Sequence, residues 1–494
     1  MLSRFPIRLE RVVLMPLMTC LLLCGCFDSK PQGGANAITL PFKEQEVELL
    51  VPKALGLPTA WEVMLQEWSS QTGAAIRWTE YSSEDETEFG KSLEPTSSSG
   101  GRVILFSLQR LSDLERHLAP LNPAAGADFD AKDLFKGLRE RVVSRERYPV
   151  AVPIAAPVLV CYYRRDLLKA AGLKPPATWD DYQTLLDRLN NWAPNLVAVE
   201  PLGPSDRAAT FFARSLAFTK HPENYSVWFD LETGDPLLQT PGFVEALGAA
   251  QRAWKRMPSS INEMSPSDCR RAVIEGRAAL ALGFEPSSLT EANSRVEQVP
   301  GIEIGICRLP GSRRVFNRNS NRWENSAAGS IHAPGLCGMT GLAVGVTLPT
   351  SGSKDVAAWN LLTTLIERQF ESAWATLPKT PCRESQVNSA STWSNDGLSA
   401  EAASQYVDAV AQTLRDPQLV AELPLPRADE LRAATGRCIS QVLSEEIEPA
   451  TALATLQAEF DEIASSLGKD TVRAAYRRGL GLATSKALAP VITP

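Results

Sequence analysis

Histidine is nearly missing from this chain. There are three, His117, His221 and His332, far apart in sequence. No HExxH, GxSxG or Walker-type GxxxxGK(S/T) pattern occurs, so the local signatures of a zinc protease, a nucleophile elbow and a phosphate loop are absent. Nine cysteines are present but no CxxC pair, which removes the common zinc-site spacing. The formal net charge is −7 and no basic run offsets it, so nothing in the sequence favours a nucleic-acid partner. The apolar run Val12 to Leu23 is too short to span a bilayer. No internal repeat is apparent. With no recognisable catalytic dyad, metal cluster or cofactor motif, the chain is expected to be a non-enzyme without metal or cofactor.

What is present is ordinary in bulk. Of 494 residues, 44% are hydrophobic and 22% charged, the balance of a globular protein, and the length suggests two or more lobes. Arg4, Arg8 and Arg11, against Glu10, precede the Val12 to Leu23 run, which is the layout of an export signal. The run ends in Leu23-Cys24-Gly25-Cys26, which looks like a bacterial lipobox. Cys26 would then carry lipid as the first residue after removal of 1–25; the alternative is an ordinary secretory cut nearby. Removing that segment leaves a net charge of about −9. Residues 26–45, with Pro31, Gly33 and Gly34, read as a flexible tether.

Beyond the tether the periodicity changes. Glu46 to Val51 reads as a strand. Pro58 to Thr72 reads as a helix with Trp61, Met64, Leu65 and Trp68 on one face, stopped by Gly73. Ala75 to Tyr81 alternates as a strand. That βαβ opening predicts a parallel sheet. Val103 to Phe106, Leu280 to Gly283, Gly301 to Leu309 and Gly338 to Val346 read as further strands. Ser312 to Pro334 is polar and is expected to be an exposed insertion. The C-terminal part is helical over Glu401 to Leu414, Ala428 to Glu446 and Pro449 to Leu467.

The most informative stretch is Tyr148 to Leu173, YPVAVPIAAPVLVCYYRRDLLKAAGL. A proline cannot donate to a ladder, so Pro153 and Pro157 should flank a turn between two strands. Farther on, Thr178 can cap a helix with Asp181 as its capping-box partner, its apolar face being Tyr182, Leu185, Leu186 and Leu189. This ordered set (Tyr-Pro strand, turn, Tyr162-Tyr163-Arg164-Arg165-Asp166-Leu167, Gly172-Leu173, then Thr178-Trp179-Asp180) closely resembles the lobe-crossing segment of the family 1 extracellular solute-binding proteins. Pro381-Cys382-Arg383-Glu384-Ser385 and Pro449 to Leu453 resemble later segments of the same family. The resemblance covers roughly residues 46 to 465.

The resemblance implies an α/β, two-lobed periplasmic-binding-protein-like fold of type II. Each lobe would be a mixed sheet flanked by helices, with several hinge crossings. The lobes are expected at 46–150 with 345–380, and at 151–344 with 381–485. It implies a monomer, anchored in the periplasm or at the cell surface, that captures a small solute, by resemblance a sugar, and hands it to an ABC permease. An exported hydrolase or lyase, and a sensor or scaffold lipoprotein that kept the fold, are the alternatives.

In open α/β sheets ligands bind beyond the carboxyl ends of strands. The expected ligand residues are therefore Lys53, Phe106, Gln109, Arg110, Ala155, Ala156, Phe284, Glu285, Met339 and Thr340. By the resemblance Phe284 stands where the family has a cleft-facing aromatic, more usually Trp, and would offer its ring to a sugar face; Arg110 would donate hydrogen bonds. Once Cys20, Cys24 and Cys26 are set aside, six cysteines remain, with fifteen possible pairings. Cys307 and Cys337 flank the polar segment and are the pair expected to form a disulfide.

Overall fold

Strands Glu46–Pro52 and Ala75–Tyr81 run parallel, with Glu46 opposite Ala75 and Pro52 opposite Tyr81. Helix Thr59–Thr72 connects them, and its Trp61, Met64, Leu65 and Trp68 are all buried. Gly73 follows at φ 79°, a left-handed conformation open to glycine without steric cost. The Trp68 indole donates to Asn360 Oδ1 at 2.8 Å and ties this helix to helix Val356–Glu367. The computed structural model describes residues 40–53, 59–82, 86–93, 100–121, 130–145, 148–285, 299–327, 329–337, 341–348, 355–367, 380–388 and 398–482. Cys26 and the tether ahead of Leu40 lie outside them. Pro41–Pro494 make one unit by internal contact.

The first sheet has the order Ala75–Tyr81, Glu46–Pro52, Arg102–Ser107, Leu342–Val346, Val152–Ala155. Its first three strands are parallel; Leu342–Val346 is antiparallel to both neighbours. Side chains alternate between two cores. Val47, Leu49, Val51, Val103 and Leu105 pack with Trp61, Leu65, Leu361 and Leu365. Leu50, Ile104 and Phe106 face the larger core on the other side. This is the two-residue period of a sheet covered on both faces.

The second sheet has the order Ile304–Arg308, Val160–Arg164, Ala278–Gly283, Val197–Val199. Val160–Arg164 is antiparallel to both neighbours, and Val197–Val199 is parallel to Ala278–Gly283. The chain enters this sheet directly from Val152–Ala155, so residues 156–159 form one crossing between the sheets. Val152–Ala155 and Leu342–Val346 hydrogen-bond within the first sheet, whereas the sequence boundaries at 150/151 and 344/345 put all of the former and part of the latter in the second lobe. Ladder bonds assign a strand more directly than a resemblance does.

Three local expectations need correction. Pro153 does not bound a turn; it sits inside Val152–Ala155, opposite Ala343. That strand is the sheet's edge, where a missing N–H leaves no ladder bond unmade. The 312–334 stretch is not a bare insertion. Arg314–Asn317 and Arg322–Asn325 form a hairpin whose Val315 and Phe316 are buried. Arg318 anchors it by donating to Ser226 O at 2.7 Å. Finally, Cys307 and Cys337 do not pair. Cys337 lies in a two-residue strand against Val420–Ala421, Cys307 lies opposite Cys161, and all six described cysteines are free thiols.

The capped helix forms as its sequence specifies. Asp181 N donates to Thr178 Oγ1 at 3.1 Å, and Thr178 N donates to Asp181 Oδ2 at 2.9 Å. Tyr182, Leu185 and Leu186 are buried within helix Trp179–Asp187. Leu189 instead opens a separate short helix, Leu189–Trp192, beyond Arg188. Helices Ala400–Leu414, Ala428–Leu443, Pro449–Leu467 and Lys469–Gly479 complete the chain.

Candidate functional site

The site is built where a strand end of the first sheet meets the chain crossings. Strand Arg102–Ser107 is apolar and buried up to Phe106. Ser107 caps the turn that follows, its Oγ accepting from Gln109 N at 3.3 Å. The turn is held from outside as well: Leu108 N donates to Gly341 O at 2.8 Å. Gly341 lies so close that a Cβ there would stand 2.6 Å from Ala155 O and 2.7 Å from Leu108 Cδ1. Only glycine fits between the strand end, the Ala155–Pro157 crossing and the start of strand Leu342–Val346. A third crossing joins them. Phe135 N donates to Cys382 O at 3.1 Å, and burial pushes the Cys382 thiol up to about 12 against the pull of Arg383 and the Ala156 backbone.

Arg110 leaves this turn toward the C-terminal helices. Its Nη1 donates to Asp429 Oδ2 at 2.5 Å and stands 3.4 Å from Asp113 Oδ2. Its guanidinium carbon lies 4.7 Å from the centre of the Phe89 ring, within cation–π range. Asp429 belongs to the first turn of helix Ala428–Leu443, where a carboxylate complements the helix dipole. It also pairs with Arg432, and Arg432 Nη1 approaches Glu422 Oε1 at 3.8 Å.

Glu422 is the unusual member of this set. It is 5% exposed; neither carboxylate oxygen makes a hydrogen bond of full geometry, and the Gln109 side chain is its hydrogen-bonding neighbour. Burial pushes its carboxyl above the ordinary value, with Arg432 and the side chain of Gln109 pulling the other way. Arg110 Nε and Arg432 Nη1 are likewise buried without a hydrogen bond. Burial raises Asp113 too, with Arg110 opposing. At Asp429 burial also acts upward, but Arg432 and Arg110 outweigh it and hold the carboxyl low. Three carboxylates, Asp113, Glu422 and Asp429, and two guanidiniums thus lie together, with Glu422, Arg110 Nε and Arg432 Nη1 keeping capacity unused. Such groups bind hydroxyls well, because an unmade hydrogen bond in a buried place is costly.

A second polar cluster forms around Glu285. Its Oε1 accepts from Tyr162 OH at 2.8 Å and from Arg270 Nε at 2.6 Å. Its backbone N donates to Tyr406 OH at 3.4 Å. Oε2 is buried with no hydrogen bond. Burial pushes the Tyr162 and Tyr406 hydroxyls up, with the Glu285 charge adding to it.

The sequence-predicted residues divide accordingly. Gln109 and Arg110 reach the polar set, whereas Phe106, Ala155 and Ala156 are fully buried. Phe284 is 5% exposed and belongs to the large core, so its ring offers no free face. Glu285 points into its own lobe's cluster. Lys53 is exposed, its backbone N donating to Tyr81 O at 2.8 Å, and no side-chain contact joins it to Arg110. Met339 and Thr340 lie outside the described residues, next to Gly341. Glu422, Asp429 and Arg432 were not foreseen. Their one local signal is the Pro424-Leu425-Pro426 break before an acidic helix start. Among the described residues, no group of three or more His, Cys, Asp or Glu could hold a metal ion, and no helix is long and apolar enough to cross a membrane.

Comparison with known proteins agrees with this architecture. The maltose-bound MalE3 of T. maritima superposes with a TM-score of 0.60 at 16% identity, covering 85% of this chain and 99% of that one. A cyclic alpha-maltosyl-1,6-maltose binding protein from Arthrobacter globiformis gives 0.61 at 16% identity, covering 85% and 99%. An ABC transporter solute binding protein from Agrobacterium radiobacter K84, in complex with ribitol, gives 0.60 at 16% identity, covering 86% and 100%. The fold is the two-lobed periplasmic binding protein fold, with mixed sheets and flanking helices. The family model described as bacterial extracellular solute-binding protein matches residues 58–311, more than half of the sequence. This chain belongs to the bacterial extracellular solute-binding protein family.

Proposed function

We propose that the protein is a lipid-anchored, extracytoplasmic receptor that captures a neutral polyhydroxylated solute, a carbohydrate or polyol, and delivers it to an ABC permease. One observation carries the reading. Gln109 and Arg110, at the end of a first-sheet strand, face Glu422, Asp429 and Arg432 from the C-terminal helical part, and this set keeps buried donors and acceptors without hydrogen bonds. Acids of both kinds and two arginines are interleaved here rather than one sign of charge, so a neutral solute rich in hydroxyls suits them better than an ion. Similar structures whose own ligands are maltose and ribitol support the same class. Binding, not catalysis, is the role: the solute bridges the two halves and the closed form docks on the permease.

A thermal-shift screen of mono- and oligosaccharides and polyols, followed by calorimetry, tests this. A carbohydrate or polyol that raises the melting temperature and loses affinity in Arg110→Ala is the expected result. A screen in which only amino acids, peptides or ions stabilise the protein would remove the carbohydrate assignment.

A further inference from the structure

Strand Ile304–Arg308 is antiparallel to Val160–Arg164, and Cys307 stands directly opposite Cys161. In such ladders, opposed residues alternate between hydrogen-bonded and non-bonded pairs. Ile306 N donates outward, to Gln405 Oε1 at 2.9 Å, so Ile306 and Tyr162 form a non-bonded pair. Arg165 N donates to Glu303 O at 2.8 Å, which fits bonded pairs at 303/165, 305/163 and 307/161. Cys307 and Cys161 therefore form a bonded pair, with Cα atoms about 5.5 Å apart. That Cα spacing lies inside the range a disulfide spans, and closing the bond draws the two Cβ atoms in from the wider spacing of a bonded pair. Opposed residues point to the same face of the sheet, so both thiols lie on one side.

We infer that Cys161 and Cys307 form a cross-strand disulfide when the exported protein meets an oxidising thiol–disulfide carrier. The two residues differ in access: Cys161 is fully buried and Cys307 partly exposed. A hydrogen bond with Cys307, with burial adding to it, pushes the Cys161 thiol up, so Cys307 is the sulfur that reacts first. Its thiolate attacks one sulfur of the carrier disulfide and expels the other as a thiolate that takes up a proton. Cys161 then loses its proton and attacks Cys307 Sγ, expelling the second carrier thiol. Two protein thiols are oxidised by two electrons and one carrier disulfide is reduced to two thiols. The link fastens edge strand Ile304–Arg308 to the central strand that emerges from the crossing at 156–159. It also closes a loop of well over a hundred residues, which restricts the unfolded chain.

The test uses the full chain, exported and exposed to oxidised glutathione, then denatured, alkylated and mapped without reduction. The expected result is a peptide pair joined through Cys161 and Cys307, lost on reduction, with the melting temperature falling by several degrees. In Cys161→Ser, glutathione should remain attached at Cys307. Recovering both residues fully alkylated from oxidised wild-type protein overturns the inference, and so does a map that joins Cys307 to Cys337.

Discussion

Arg110 and Asp429, separated by 319 positions in sequence, are joined at 2.5 Å. The arginine is the nearly buried partner, with 11% of its side chain exposed, while the aspartate is about half exposed at 55%. An ion pair with one wet partner contributes little to stability. In the proposed function its weight falls on the solute instead. Arg110→Ala should weaken carbohydrate binding about tenfold or more, since a hydrogen bond to a charged group contributes roughly 1.5–3 kcal/mol. Asp429→Asn should cost less, because Arg432 remains beside it. Calorimetry with the screened solute decides it, and equal affinity in a folded Arg110→Ala variant would take Arg110 out of the site.

The parts legible in the sequence are those fixed by local spacing. Trp61, Met64, Leu65 and Trp68 share a face because a helix repeats every 3.6 residues, and Thr178 with Asp181 makes a capping box because both partners lie within one turn. What was not legible depends on pairing at long range. Pro153 reads as a breaker until its strand is known to lie at an edge. Asp429 reads as an ordinary acidic helix start until Arg110 arrives from the far end of the chain. Strand-end logic led to Gln109 and Arg110, which reach the polar set around Glu422 and Asp429. Phe284 and Glu285 turn instead into the core and a second polar cluster, because a position after a strand does not fix which way its side chain turns.

Phe284 illustrates the consequence. Its ring is buried in the large core, so Phe284→Ala should act on stability. A loss of about 3–5 kcal/mol is expected for a phenylalanine truncated in a packed interior, read from urea unfolding. A variant with unchanged stability and selectively weakened solute binding would restore the ring to the ligand surface.

The proposed anchor makes a separate prediction. Leu23-Cys24-Gly25-Cys26 follows a positive, then apolar, start. In Cys26→Ala the mature, acylated form should disappear, and the protein should accumulate as precursor or in the soluble fraction. Fractionation with mass measurement of the N-terminal peptide reads this directly. Persistence of an acylated, processed species in the mutant would place the lipid elsewhere.

Glu422 gives the pH dependence. Its folded carboxyl lies above the ordinary value of 4.5 because burial disfavours the charged form. The folded state therefore holds this proton more tightly than the unfolded chain. The stabilisation from that proton is complete below the unfolded value near 4.5 and is lost as pH rises through the folded value. At neutral pH burial of the ionised carboxylate, only partly offset by Arg432 and Gln109, opposes folding. Glu422→Gln keeps the shape and removes the charge, so it should melt on the order of 1–2 °C above wild type at pH 7, with the gap closing toward pH 4.5. The solute pulls the other way. If its hydroxyls donate to Glu422, binding favours the carboxylate, so wild-type affinity should rise with pH while Glu422→Gln binds weakly and without that dependence. Melting curves that stay parallel from pH 4.5 to 8 would show that the Glu422 carboxyl does not titrate as its burial demands.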